Sequence, residues 1–210
     1  MLLQLLHPIS RHFRARRMAA FLAEMNPTAE TRILDVGGTP ATWSALAVRP
    51  KVVILNMPRE SEAFDGLLGV GGDGCALPFP DQSFDIVFSN SVIEHVGGWE
   101  KQQRFAAEVA RVGKRYWVQT PNRYFPIETH LLTPFLHLLP RSWQLWIAPR
   151  FTVWSMLTNV GREQREWYVR HFLNDIRLLD AGQMAGLFPG ARMIRERAGG
   201  FVKSLIAVRK

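Results

Sequence analysis

Apolar residues recur along this chain in two rhythms. Short continuous apolar runs closed by Gly, Pro or a polar residue read as buried strands, and apolar residues three and four apart read as helices. His7 to Met25 predicts an N-terminal helix, with Met18, Phe21, Leu22 and Met25 at helical spacing and Pro8 in or just before its first turn. Asn26-Pro27 breaks that helix. Strand patterns follow at Arg32 to Val36, Lys51 to Asn56, Leu68 to Val70, Asp85 to Ser89 and Arg115 to Thr120. A helix is expected to start near Pro40 to Thr42, carrying Trp43, Leu46 and Ala47, and a short one to fall between Pro58 and Leu68. Glu100 to Val112 reads as a helix with Phe105, Val109 and Val112 on one side. Strands alternating with helices predict a parallel sheet with crossover helices, an α/β fold.

The last third has a different rhythm. Asp175 to Leu187 predicts a late helix halted by Pro189-Gly190, and two strands, Ala191 to Arg197 and Val202 to Val208, flank Gly199-Gly200. Tyr124 to Leu157 fits no long sheet element; it holds four prolines, three tryptophans and a single acid, Glu128.

Composition narrows the picture only in part. The 210 residues suit one domain, and 47% hydrophobic with 21% charged content is that of a globular protein. The single Cys75 excludes an intrachain disulfide, and no Cys/His cluster has zinc spacing. No run has the length and purity of a transmembrane helix, and the opening MLLQLLHPISRHFRARR places its charge after the apolar run, the reverse of a secretory signal. It is Arg-rich with no acid before Glu24, which leaves an organellar transit peptide open beside the preferred cytoplasmic location. The formal charge of +8 favours contact with something anionic without choosing among nucleic acid, lipid and phosphorylated substrate. Arg11, Arg14, Arg16 and Arg17 beside the apolar Met1 to Leu6 suggest an interfacial helix resting on anionic lipid. Trp143, Trp146 and Trp154, interleaved with Arg141 and Arg150, suit the same peripheral membrane contact.

Arg32 to Asn90 carries the most information. RILDVGGTP puts an acidic residue and two glycines after the first strand, and VVILNMP ends the second strand on Asn56. GDGCALPFPDQSFDIVFSN then gives a "GD" turn, a Pro-rich loop and a strand closed by Asn90. Glycines let backbone N–H groups approach a ligand, and a polar side chain ending the second strand sits where a ribose would lie. In its order of parts, and above all in GDGCALPFPDQSFD followed by IVFSNSVIEHV, the chain resembles class I S-adenosylmethionine-dependent methyltransferases of the broad small-molecule group. The resemblance covers roughly Arg32 to Asn122. It implies a Rossmann-like three-layer sandwich whose mostly parallel seven-stranded sheet ends in a C-terminal antiparallel hairpin. It also implies one domain over residues 1–210, with an N-terminal helix over 1–26 and a lid covering the substrate pocket over 124–170.

The resemblance further implies S-adenosyl-L-methionine as the methyl donor. Asp35, Gly37, Gly38 and Thr39 then match the donor loop, which lacks the family's third glycine and has Pro40 and Ala41 there. Asn56 stands where the family carries Asp or Glu against the ribose, and Met57 could pack on the adenine. Asp73 matches the position that accepts from the adenine amine, with the Gly74 or Cys75 N–H meeting a ring nitrogen. Asn90 and Ser91 would face the methionyl part. For the acceptor, His95 after Glu94 is the first candidate general base. Glu128 and His130 form a second pair, in which the carboxylate could orient the imidazole; two ligands alone make a weak metal case, so no metal is expected. The expected activity is methyl transfer to a small or lipid-linked acceptor, at oxygen. The alternatives are an RNA methyltransferase, which lacks a recognisable RNA-binding module and the amine-methylation motif where SNSV stands, and a non-catalytic donor-binding domain. A nicotinamide enzyme would want Gly-x-Gly-x-x-Gly where GGTPAT stands.

Overall fold

Seven strands, β1 (Arg32–Val36), β2 (Lys51–Asn56), β3 (Leu68–Gly71), β4 (Phe84–Asn90), β5 (Gly113–Pro121), β6 (Arg192–Ala198) and β7 (Phe201–Arg209), form one sheet of order β3-β2-β1-β4-β5-β7-β6. The computed structural model describes residues 2–44, 46–57, 68–128, 130–158 and 161–210. β1 pairs in parallel with β2 and β4, as do β2 with β3 and β4 with β5; β7 runs antiparallel to both β5 and β6. The β6–β7 hairpin turns on Gly199 and Gly200, both at positive φ.

Helices cover both faces, because each face of a parallel sheet is apolar. On one side α3 (Trp99–Val112) and α7 (Ala181–Leu187) bury Phe105, Val109 and Met184 against Val36, Val87 and Tyr116. On the other, α1 (Leu2–Met25) and α2 (Pro40–Ser44) bury Phe21, Met25 and Trp43 against Ile33, Ile54, Phe88 and Trp117. Phe21 sits edge-on to three rings, with centroids 4.9 Å from Phe88, 5.8 Å from Trp117 and 6.0 Å from Trp43. These are favourable aromatic geometries, and they anchor the N-terminal helix to the sheet.

Between β5 and α7 the chain makes α4 (Arg141–Ile147), α5 (Val153–Thr158) and α6 (Arg162–Asp175), preceded by a 3₁₀ turn at Leu136–Leu138. This insertion has an apolar centre of its own: Leu131, Leu136, Ala148, Val169, Phe172 and Leu173. Its α5 lies against α1.

Two expectations are corrected, and one helix was not expected. The N-terminal helix begins at Leu2, not His7, so Pro8 lies inside it. The late helix covers only Ala181–Leu187: Asp180 accepts from the Gln183 N–H at 2.9 Å while the Gln183 side chain accepts from the Asp180 N–H at 3.1 Å, a capping box that fixes the start. Residues 162–175, which carry only Val169, Phe172 and Leu173 as buried residues, form the helix that the sequence pattern missed. The short helix expected between Pro58 and Leu68 lies outside the described residues, apart from Leu68, which opens β3. Among the described residues no helix is long and apolar enough to cross a membrane.

Phe21→Ala is expected to cost about 3–5 kcal/mol, as a buried aromatic deleted from a packed cluster does, and urea unfolding measures it.

Candidate active site

The parallel strands deliver their C-terminal ends to one rim of the sheet, where open α/β sheets bind ligands. β1 delivers Asp35, which is 1% exposed. Trp43 Nε1–H donates to its Oδ2 at 2.7 Å, while Oδ1 is buried without a partner among the described residues. Burial raises the Asp35 carboxyl to about 7, against the opposing Trp43 hydrogen bond. The two glycines that follow are required sterically. Gly37 has φ +75°, and a Cβ on Gly38 would lie 1.7 Å from Asp35 Oδ2.

Asn56 lies beside this loop and ties it down, its Nδ2–H donating to the Gly38 carbonyl at 3.1 Å. Thr39 Oγ1 is 3.4 Å from Thr42 Oγ1 at the start of α2. Met57 is 56% exposed at the rim. In the next loop Asp73 Oδ1 accepts from the Cys75 N–H at 2.8 Å, and Cys75 Sγ lies 3.3 Å from the Lys101 carbonyl. The Cys75 amide is therefore engaged within its own turn, and of the two amides proposed for the adenine ring only Gly74 remains a candidate.

Asn90 and Ser91 are held from the side of α1. Arg17 donates through Nη1 to Asn90 Oδ1 and to Gln119 Oε1, the latter at 2.8 Å, and Ser91 Oγ donates to the same Gln119 oxygen at 2.9 Å. Arg17 also pairs with Glu196 at 3.2 Å. Grouped in the sequence with a basic surface, Arg17 is 7% exposed and points inward, whereas Arg11, Arg14 and Arg16 are exposed. Nothing in the sequence separates Arg17 from its three neighbours except its position four residues before Phe21, on the buried helical face.

Farther along the rim, three residues from two distant segments meet. His95 Nε2 lies 3.3 Å from His130 Nε2, and His130 Nδ1 bonds closely to Glu128 Oε1. Glu128 is 4% exposed, and its Oε2 accepts from the His130 and Leu131 N–H groups, both at 2.8 Å. Tyr168 of α6 donates to the His130 carbonyl at 3.1 Å. Beneath them Glu94 is fully buried. Its Oε2 accepts from Thr120 at 3.0 Å, and its Oε1 lies 4.0 Å from His95 Nε2 without a hydrogen bond among the described residues.

The titration of the pair is split. Burial, then the charges of His130 and His171, pushes His95 down to about 4. Burial also opposes a charge on His130, but the Glu128 hydrogen bond and the charges of Glu128 and Glu94 outweigh it and lift its pKa. Burial raises Glu94 to about 7. Among the described residues no group of three or more His, Cys, Asp or Glu is arranged to hold a metal ion.

The donor-side residues fit S-adenosylmethionine on two counts. A glycine cradle leaves room for backbone approach, and the unpartnered Asp35 oxygen inside it could accept from a donor ammonium. Without that cation, raised carboxyl pKa values mean that the native state holds its protons more tightly than the unfolded chain. Stability from Asp35 is therefore present at low pH and lost as pH rises from about 4 through 7. Asp35→Asn is expected to stabilise the ligand-free protein at pH 8 by roughly 1–4 kcal/mol and flatten that decline in urea titrations. The same change should weaken donor binding about tenfold or more by calorimetry.

Residues 42–116 match the family described as a methyltransferase domain. No curated protein matches the chain. Among solved structures, a Rhodobacter sphaeroides protein named as a zinc-dependent alcohol dehydrogenase is similar over 92% of this chain and 88% of its own, with 14% identity and TM-score 0.59. A chain from a Haloferax volcanii complex of the Trm112 methyltransferase activator with a methyltransferase is similar over 95% and 89%, with 16% identity and TM-score 0.54. A Haemonchus contortus phosphoethanolamine N-methyltransferase, in complex with phosphomonomethylethanolamine and S-adenosylhomocysteine, is similar over 86% of this chain and 38% of its own, with 16% identity and TM-score 0.50. At such identities the structural likenesses carry the fold alone, so the dehydrogenase name says nothing of the chemistry here. The family match adds that residues 42–116, about a third of the chain, are similar to a methyltransferase domain, and the strand order β3-β2-β1-β4-β5-β7-β6 agrees with that likeness.

Proposed function

We propose that this chain is an S-adenosylmethionine-dependent methyltransferase acting on a hydroxyl of a small or lipid-linked acceptor, with His95 as the base that receives the hydroxyl proton. The meeting of His95, His130 and Glu128 carries this reading. When bound, the donor supplies a methyl group activated by its sulfonium. The chain's own task is then to position a nucleophile and take its proton.

The three side chains can work in line. With Glu128 accepting from His130 Nδ1–H, a neutral His130 presents a bare Nε2, which accepts from His95 Nε2–H. His95 Nδ1 then carries the lone pair that would take the proton of an acceptor hydroxyl. Glu128 and His130 act as positioning residues and steady the charge that His95 gains. If His130 is protonated, its Nε2–H points at His95 and the lone pair is consumed. Activity is therefore expected to rise with pH through the raised His130 titration, and Glu128→Gln should move that rise to lower pH. His95→Gln is expected to lower turnover about 10²–10⁴-fold while leaving S-adenosylhomocysteine affinity unchanged. Methyl-labelled donor incubated with aqueous, organic and RNA fractions of a cell extract reads both the acceptor class and these effects. Label confined to RNA, or an unimpaired His95→Gln variant, would sink the proposal.

A lipid-linked acceptor is supported by the outer surface of the insertion. Trp143 and Trp146 are 61% and 64% exposed, and Phe135, Leu138, Leu145 and Phe151 of the same insertion are exposed as well. Exposed apolar area of this kind marks a contact surface. Arg141 and Arg150 border it, Arg150 lying 5.0 Å from the Trp146 ring centroid. The one acid between residues 124 and 157, Glu128, is buried, so nothing on this stretch repels an anionic surface. The protein is expected to float with vesicles containing anionic lipid, and Trp143→Ala with Trp146→Ala to remain in solution; a wild-type protein that stays wholly in solution would remove the membrane contact.

A further inference from the structure

A second polar feature lies behind the histidine pair. A cleft of about 220 Å³ opens beside the insertion, lined by Arg123, His137, Arg141, Gln144, Phe172 and Arg177 among others. Sites that enclose a whole drug-sized ligand run to ~300–1,000 Å³, so this cleft suits one functional group of a larger molecule.

Three separate segments bring three arginines to its lining. Arg123 follows β5, Arg141 opens α4 and Arg177 follows α6. No lining residue is acidic, and among the described residues the bonds made by these side chains go to neutral groups. Arg141 Nη2 donates to Asn174 Oδ1 at 2.9 Å, and Arg177 Nη1 to Gln102 Oε1 at 2.7 Å. Arg177 also lies 4.7 Å from the Trp99 ring centroid. Burial, then the charge of Arg123, holds the Arg177 guanidinium below its ordinary pKa, with Asp180 opposing. His137, also in the lining, donates from Nε2–H to the Arg123 carbonyl at 2.9 Å, and burial lowers its pKa, so it is neutral there and adds no charge to the cleft.

Arg123 and Arg141 are exposed and Arg177 is half-buried, so each keeps donors to offer, and an oxyanion reaching them would gain charge-assisted hydrogen bonds. The cleft adjoins the acceptor side. Phe172, part of its wall, has its ring 5.8 Å from that of His130, and the Arg177 N–H donates to the Glu94 carbonyl at 2.8 Å.

We propose that this cleft holds an oxyanion carried by the methyl acceptor, a phosphate or carboxylate, so that the substrate is an anionic molecule; its assignment to the acceptor rests on the methyl-transfer reading above. Calorimetric titration with inorganic phosphate, acetate and water-soluble dibutanoyl phosphatidic acid tests it, in the parent protein and in Arg123→Ala with Arg141→Ala, with S-adenosylhomocysteine as control. Expected is saturable binding of at least one of these anions that weakens about tenfold or more in the double variant, with control affinity within about twofold. Phosphatidic acid bound more tightly than phosphate assigns the anion to a lipid headgroup; phosphate or acetate bound at least as tightly assigns it to a soluble molecule. Equal binding by the two proteins, or none by either, overturns the site. Anion binding by a parent protein that fails to bind S-adenosylhomocysteine leaves the site standing and removes only its assignment to a methyl acceptor.

Discussion

Parallel pairing is the constraint from which the site follows. Because β1, β2, β4 and β5 run the same way, their last residues arrive at one rim regardless of separation along the chain. Registers that set Val36 beside both Leu55 and Ser89, and Asn90 beside Gln119, place the glycine loop, Asn56 and the Asn90–His95 turn along one edge. The crossover helices cover the faces and leave this edge to the loops. Reversing a single central strand would scatter the same residues to opposite ends.

The electrostatics divide along the same rim. The chain as a whole is basic, yet its two most deeply buried acids, Asp35 and Glu94, each keep an oxygen unpaired there among the described residues. Unpaired buried carboxyls do not stabilise a fold; their raised pKa values show the cost of charging them. They are intelligible as an environment for a cation, which the donor's sulfonium and ammonium supply. Arginines lie farther out, at Arg123, Arg141 and Arg177 and on the exposed face of α1, where an anionic partner would approach. A cationic donor and an anionic acceptor would thus meet fields of opposite sign a short distance apart.

How much of this could be read from the sequence depended on the range of the interaction. The sheet was legible because buried parallel strands are short apolar runs with polar ends, and Arg32–Val36 and Lys51–Asn56 match the observed β1 and β2 residue for residue. The glycine loop after β1 was legible because its glycines answer a local steric demand. His95, Glu128 and His130 could be singled out only as residue types. Their contact spans 35 residues and depends on the insertion folding back onto the rim, which no local spacing encodes. Arg17 was misread for a related reason: its partners lie on β4, β5 and β6, so the helix alone cannot tell an inward arginine from an outward one. The helix at 162–175 was missed because its apolar residues face the insertion's own small core, too few to set a clear period.

Asn56 shows how two departures from the family pattern belong together. Its Nδ2–H reaches the Gly38 carbonyl, a bond that a carboxylate, having no proton to donate, could not make. A carboxylate there would set two acceptors against each other at the tightest point of the loop. The loop itself lacks the third glycine and turns instead through Pro40 into α2, so its conformation is less fixed by glycine and proline geometry alone. An amide at the end of β2 supplies the missing restraint and still offers an oxygen for a ribose hydroxyl. A ribose hydroxyl placed there would lack the charge-assisted strength that a carboxylate gives.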